Sequence, residues 1–213
     1  CVLFRANKVM GKINLQVFKR EATKAFNTKL VRDIAVDEAN KALERAKKIA
    51  IKEFNTHPVT KELRGGPEAQ NVSNTLGGRG NLFSFIGFMS NDDPTRIVER
   101  AILDSRLNKT PRIRRIGKSS AFTVTFVATV PSKKQLEAVT PMPFEKGRSW
   151  LTGIERGISG LSYYIYDKVK GIKGSRSGKA IQAKHPYISG LRYKPTSYIS
   201  PILNNLRKRL ITG

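Results

Sequence analysis

Val36, Ala39, Leu43, Ala46, Ala50 and Phe54 recur at spacings of three and four, which lays six apolar side chains along one stripe of a helix. Glu38, Lys41, Arg45, Lys48 and Lys52 fall on the remaining faces. Pro58 disfavours a helical conformation at His57, so the helix is predicted to stop before it. The small residues Ala39, Ala46 and Ala50 allow another element to approach closely. The clearest strand in the chain is Ala121–Val130. There Phe122, Val124, Phe126, Ala128 and Val130 share one face, and Thr123, Thr125 and Thr129 share the other.

Other segments carry shorter signals. Leu15, Phe18, Ala22, Ala25 and Phe26 have helical spacing and predict a separate helix before the long one. Residues 64–81 are rich in glycine and read as a loop, and the aromatic run Leu82–Phe88 reads as a strand. Asp93 as N-cap, with Pro94 at the first helical position, predicts a helix to about Leu107 with Ile97, Val98, Ala101 and Ile102 as its apolar positions. Thr110–Ile116 is expected to pair with Ala121–Val130 as a hairpin through Gly117–Ser120. Ser132 and Gln135 form a capping-box pattern before a short helix ended by Pro141, and a further helix carries Trp150, Leu151 and Ile154. Leu161–Tyr166 reads as a strand, and Lys168–His185 as a long basic loop. Ser200 and Pro201 open a last helix with Ile202, Leu203, Leu206 and Leu210.

These elements predict an α+β fold: a long N-terminal helix packed on a small, mostly antiparallel sheet with a central β-hairpin, and a closing C-terminal helix. The expected division is an N-terminal extension and helix over residues 1–34, then a single domain over residues 35–213. Val2–Val9, ahead of Met10-Gly11-Lys12, reads as an upstream extension or processed end with no function of its own. At 213 residues and 39% hydrophobic, the chain can bury one real core. No run approaches the ~18 apolar residues of a membrane span. The single cysteine, Cys1, excludes a disulfide framework and a cysteine-based metal site, and fits a reducing compartment.

Charge speaks to partners. The chain has 40 Lys or Arg against 16 Asp or Glu, a formal +24. Asp167 is the last acid, and eleven cations follow it. Surfaces without a partner intersperse both signs, so an acid-free final fifth points to a polyanion, either nucleic acid or an acidic protein. Lys168, Lys170, Lys173, Arg176, Lys179 and Lys184 place six cations within seventeen residues among glycines. If all six met duplex phosphates, log K would fall against log salt with a slope of about −5. Arg112 and Arg114 share one face of a predicted strand and form a second basic site. The last helix carries Arg207-Lys208-Arg209 in its final turn, where cations complement the helix dipole.

Patterns for chemistry are sparse. His57 and His185 are the only histidines, each beside a proline, and neither has a triad or metal-ligand spacing. Asp92 and Asp93 are adjacent, but Asp93 is accounted for as a helix start, and a magnesium nuclease needs further convergent carboxylates. The run Gly171–Ala180 has Lys173 where a Walker loop needs its first glycine and Ala180 where it needs Ser or Thr, so it is not one. Gly78-Arg79-Gly80 precedes a predicted strand instead of joining strand to helix, which removes the dinucleotide fingerprint. No catalytic residue, metal or cofactor is expected, and nothing resembles a base-reading helix.

The order of parts does resemble a known group. A long helix leads to the glycine-rich turn Asn74–Phe83, then a central hairpin, then the loop Ser175–Gln182 before a closing helix. This layout is similar to that of the neck and tail-completion (head–tail connector) proteins of tailed bacteriophages, over roughly residues 35–210. The resemblance implies a non-enzymatic virion protein that forms a ring, often a hexamer, at the head–tail junction around the DNA channel. It also implies assembly in the host cytoplasm, neighbouring neck, portal-side and tail proteins, and sequence-independent contact with double-stranded DNA without any membrane. The basic residues named above would then face DNA or an acidic neighbouring ring. Phe83 and Phe85, with Tyr163, Tyr164 and Tyr166, would supply subunit contacts. The alternative is a basic, sequence-independent binder of RNA or DNA, and a nuclease or packaging enzyme is a third class.

Overall fold

A computed structural model describes residues 7–13, 28–78, 80–108, 112–115, 122–143, 145–157, 163–166, 180–183 and 193–212. In chain order the elements are β1 (Asn7–Ile13), α1 (Thr28–Thr56), α2 (Pro58–Arg64), α3 (Leu82–Ile86), α4 (Thr95–Leu103), β2 (Arg106–Leu107), β3 (Arg112–Arg115), β4 (Phe122–Val130), α5 (Lys133–Val139), β5 (Pro141–Met142), β6 (Glu145–Ser149), α6 (Trp150–Arg156), β7 (Tyr163–Tyr166), β8 (Ala180–Ala183) and α7 (Ile199–Thr212). Every described strand pairing is antiparallel, and the fold is α+β. The helix predicted around Leu15–Phe26 lies outside the described residues. By backbone packing the chain divides into two units. One draws on Cys1–Ile51, Ile102–Ser132 and Leu203–Gly213, and the other on Lys52–Ala101 and Lys133–Ile202. The boundary expected after residue 34 lies within α1.

The first unit is organised by β4. Its Phe126, Ala128 and Val130 are buried while Thr125, Val127 and Thr129 are half-buried, the alternation a one-sided strand requires. β1 runs along one edge of β4 over its full length, from Asn7 opposite Val130 to Ile13 opposite Val124. Asn7–Ile13, whose first residues belong to the Val2–Val9 stretch, is thus a strand of the sheet. β2 and β3 share the other edge, at Thr129–Ala128 and Thr125–Phe122. The sequence between them contains Pro111, which has no N–H to give a ladder. Ala35 and Ala39 of α1 form a small cluster with Phe126, and Val36 and Leu107 pack against it. Small side chains there let the helix lie close to the strand. The helix predicted to reach Leu107 stops at Leu103, because Arg106 and Leu107 pair with β4. Arg207 of α7 donates to the Pro131 carbonyl at 3.0 Å, so one cation of the C-terminal cluster has an internal partner.

The second unit is built on short helices with well-defined ends. Leu82–Phe88 is not a strand. Asn81 Oδ1 accepts the Ser84 N–H at 2.7 Å as N-cap, and Gly87, at φ 90°, closes α3 by donating to the Phe83 carbonyl. Five apolar or small residues between such a cap and such a glycine make one helical turn, and Leu82, Phe83, Phe85 and Ile86 are all buried in it. Arg64 of α2 reaches α4, donating to Thr95 Oγ1 at 2.9 Å and Glu99 Oε2 at 2.7 Å, while its guanidinium lies over the Phe54 ring.

The segment read as a loop over residues 64–81 begins with the last residue of α2 and a 3-10 turn at Gly66–Glu68, and its described residues wrap around a buried carboxylate. Glu62, 1% exposed, accepts from Asn71 Nδ2 at 2.8 Å, from the Ser73 N–H at 3.1 Å and from the Leu82 N–H. Asn71 Oδ1 in turn accepts the N–H groups of Leu76 and Gly78. Gly77 and Gly78, at φ 63° and 78°, take the left-handed backbone this inward turn needs. Glu62→Gln would set an amide N–H₂ against the Ser73 N–H and remove a charge-assisted acceptor. It is expected to lower the urea-unfolding free energy by about 2 kcal/mol with the m-value unchanged. A midpoint equal to that of the parent chain would show that the loop does not depend on this carboxylate.

Candidate functional site

The expected polyanion site falls on a hairpin. β7 and β8 pair from Tyr163 opposite Ala183 to Tyr166 opposite Ala180, so residues 167–179 join two antiparallel neighbours. Lys168, Lys170, Lys173, Arg176 and Lys179 belong to that connection and Lys184 directly follows β8. All six lie outside the described residues. The reading of Lys168–His185 as loop throughout is corrected by β8 itself. Arg112 and Arg114 occupy alternate positions of β3, opposite Thr125 and Thr123, which puts both on one face of that strand. Tyr163, Tyr164 and Tyr166 make up most of β7.

Phe83 and Phe85 do not form an exposed edge. They are 0% and 3% exposed. The Phe83 ring lies 5.4 Å from Phe88, and Phe85 stacks on Tyr193 at 5.5 Å with the rings nearly parallel. Their role is the core of the second unit, and they are withdrawn as subunit contacts.

Within the acid-free C-terminal part, residues 193–200 bind inward. The Tyr193 hydroxyl donates to the Ile154 carbonyl at 3.0 Å, the Lys194 N–H to Thr75 O at 2.8 Å, and the Thr196 N–H to Ile154 O at 3.0 Å. Glu155 of α6 then brackets the start of α7. Its Oε1 accepts the N–H groups of Tyr198 and Ser200 at 3.2 and 2.7 Å. Its Oε2 accepts the Ser200 hydroxyl at 2.6 Å and the Lys133 ammonium. Burial by itself pushes the Glu155 carboxyl up, but the Lys133 and Ser200 hydrogen bonds outweigh it and hold the group below the ordinary carboxylate range. One acid from outside the acid-free run thus supplies the acceptors its backbone needs.

His57 fastens the same segment from α2. Its Nδ1 accepts the Val59 N–H at 3.2 Å as N-cap, so Nε2 carries the proton and donates to the Ser197 carbonyl at 3.1 Å. The imidazole also packs on Tyr198, at 4.8 Å between ring centres. The fully buried Tyr198 places its hydroxyl 2.8 Å from Thr60 Oγ1. Burial lowers the His57 pKa, with the Ser197 contact and Glu155 opposing it. No sequence signal marks this cap, because histidine is not among the preferred N-cap residues. Glu155 was equally hidden, since its partners stand up to 45 positions away.

Ser200, Lys133 and Glu155 are mutually hydrogen-bonded, with Lys133 Nζ 3.0 Å from Ser200 Oγ. The serine proton points to the carboxylate while the ammonium donates to the oxygen lone pair. That arrangement immobilises the hydroxyl and does not prepare it for attack. Asp92 and Asp93 are engaged locally. Asp92 Oδ2 accepts the Met89 N–H, and Asp93 Oδ1 accepts the Thr95 N–H and hydroxyl at the start of α4. Among the described residues, no group of three or more His, Cys, Asp or Glu side chains is placed to hold a metal ion. Nor is any described helix long and apolar enough to cross a membrane.

Both brackets weaken in acid. A histidine held neutral in the fold is protonated more readily when unfolded, so its contribution is complete above the ordinary imidazole pKa of about 6.5 and is lost as pH falls below it. The Glu155 contribution is complete above the ordinary carboxylate pKa and is lost as pH falls through its lowered value. The urea midpoint is therefore expected to drop in two stages on acidification. His57→Asn keeps an N-cap acceptor without a titrating ring and should flatten the upper stage only. An unchanged pH profile in that variant would remove His57 from the account.

Comparison of the chain with protein-family models, with curated proteins and with solved structures found no match.

Proposed function

We propose that the chain is a non-enzymatic structural protein of a phage virion, forming a ring at the head–tail junction around the DNA channel. The observation that carries this reading is the β7–β8 pairing, which makes the basic run Lys168–Lys179 part of the connection of a two-stranded hairpin. Five cations on one such connection match a polyanionic surface. Supporting it are the antiparallel α+β fold and an order of elements like that of neck proteins: long helix, central β3–β4 hairpin, closing helix.

In this role the protein supplies positive potential and shape. Its hairpin cations meet phosphate or an acidic neighbouring ring without reading bases, and the inward binding of residues 193–200 keeps the following helix in place. Phe83 and Phe85 have no part in the ring contact, which leaves Tyr163, Tyr164 and Tyr166 as the residues proposed for it. Self-association as a ring, and contact with neck, portal-side and tail proteins, belong to the same proposal.

Charge reversal at Lys173, Arg176 and Lys179 tests it. The triple Glu variant is expected to unfold at the parent's urea midpoint, because these residues lie on a connection, yet to reduce particle assembly or DNA retention by at least tenfold. Particle yield and infectivity equal to the parent's would contradict the proposal. A stable complex with free RNA, without association with virion particles, would favour the general nucleic-acid binder instead.

A further inference from the structure

We infer that one face of α1 is a second contact surface for the phosphate backbone of duplex DNA, centred on Arg45, Lys48 and Lys52. The inference rests on the proposed role at the DNA channel and identifies a surface which that proposal does not contain. Lys41, Arg45, Lys48 and Lys52 follow one another at spacings of four, three and four on a continuous helix, so they form one row. All four are exposed, opposite in pattern to the buried positions Leu43, Ala46, Ala50 and Phe54. The row rises about 16 Å along the axis, close to five phosphate steps of one DNA strand at about 3.4 Å each.

A solvated helix face normally balances its charges, and the earlier part of α1 does so. Lys41 pairs with Asp37 at 2.7 Å and Glu38 at 3.0 Å, and Lys47 pairs with Glu44 at 2.9 Å. Past Glu44 the remaining acid of α1 is Glu53, which stands next to Lys52 and five positions after Lys48, not at the spacing of a helical pair with either. Arg45, Lys48 and Lys52 form no ion pair among the described residues. Glu44 stands four positions before Lys48, the spacing of a favourable pair, but its carboxylate is turned to Lys47 instead. Along the row the neighbours are cations: Lys41 with Arg45, Arg45 with Lys48, and Lys48 with Lys52. Like charges at these spacings destabilise a helix, and the macrodipole does not account for them, since its effect is confined to the final turn. A polyanion laid along the face relieves the repulsion, releases counterions and requires no rearrangement of the helix.

The test is fluorescence anisotropy of the full chain with a labelled 20-base-pair duplex of arbitrary sequence, across a salt series. Arg45→Gln, Lys48→Gln and Lys52→Gln together keep good helix formers at all three positions, and circular dichroism should show the parent's helix content. The slope of log K against log salt is expected to become shallower by about 2.7, from three lost phosphate contacts. A matched control removes the same charge at the exposed residues Lys134, Arg156 and Lys194 and should leave most of the slope intact. Arg45→Lys, which keeps the charge, should also retain it. Three results overturn the inference: an unchanged slope in the row variant, an equal change in the control, or a parent chain that binds an acidic protein but no duplex. Failure of the neck proposal reads out separately, as absence from particles with the salt slope preserved.

Discussion

Scarcity of negative charge is the constraint around which the second unit is arranged. A chain of 40 cations and 16 acids cannot balance its surface, and it places key carboxylates where backbone or side-chain donors converge. Glu155 holds the start of α7, Glu62 holds the loop that leads into α3, and Glu99 pairs with Arg64 between α2 and α4. Each carboxylate replaces water for two or more N–H or O–H groups at a place where chain segments distant in sequence must meet. Charge-assisted bonds of this kind are about twice as strong as neutral ones, which suits a unit whose short helices must be joined at their ends.

That use of acids also changes the meaning of the acid-free C-terminal part. Read from composition, everything after Asp167 faces a polyanion. The structure divides it. Residues 193–200 bind inward to α2, α6 and the loop before α3, and Arg207 is engaged with the Pro131 carbonyl. Lys168, Lys170, Lys173, Arg176 and Lys179 of the β7–β8 connection are the cations proposed to meet a partner, and the row on α1, which composition did not single out because acids are interspersed nearby in sequence, is the second proposed surface. Spacing on a helix, and not local charge density, separates that row from its neighbours.

Periodicity made the long elements legible. The stripe from Ala39 to Phe54 is buried throughout, α1 stops at Thr56 before Pro58 as expected, and β4 alternates as its threonines and apolar residues require. The β3–β4 hairpin, α5, α6 and α7 were similarly visible. Short apolar runs were not. Leu82–Phe88 has strand-like composition, and only the capping geometry at Asn81 and Gly87 decides for a helical turn, which also moved Phe83 and Phe85 from a supposed edge into the core. β8 lay hidden within a stretch whose glycines and lysines read as loop, whereas β1 and β2 depend on a partner remote in sequence, so nothing local announced them. The roles of His57, Glu62 and Glu155 were hidden for the same reason, since a bracket is defined by what it joins.

The central claim is that this basic protein belongs to a particle and surrounds DNA there. Quantitative mass spectrometry of purified virions, combined with localisation of a tagged chain by electron microscopy, tests it most directly. The account predicts a small, fixed copy number per particle, consistent with one ring, and a tag at the head–tail junction. Absence of the chain from particles, or a variable copy number distributed with packaged nucleic acid, would contradict it.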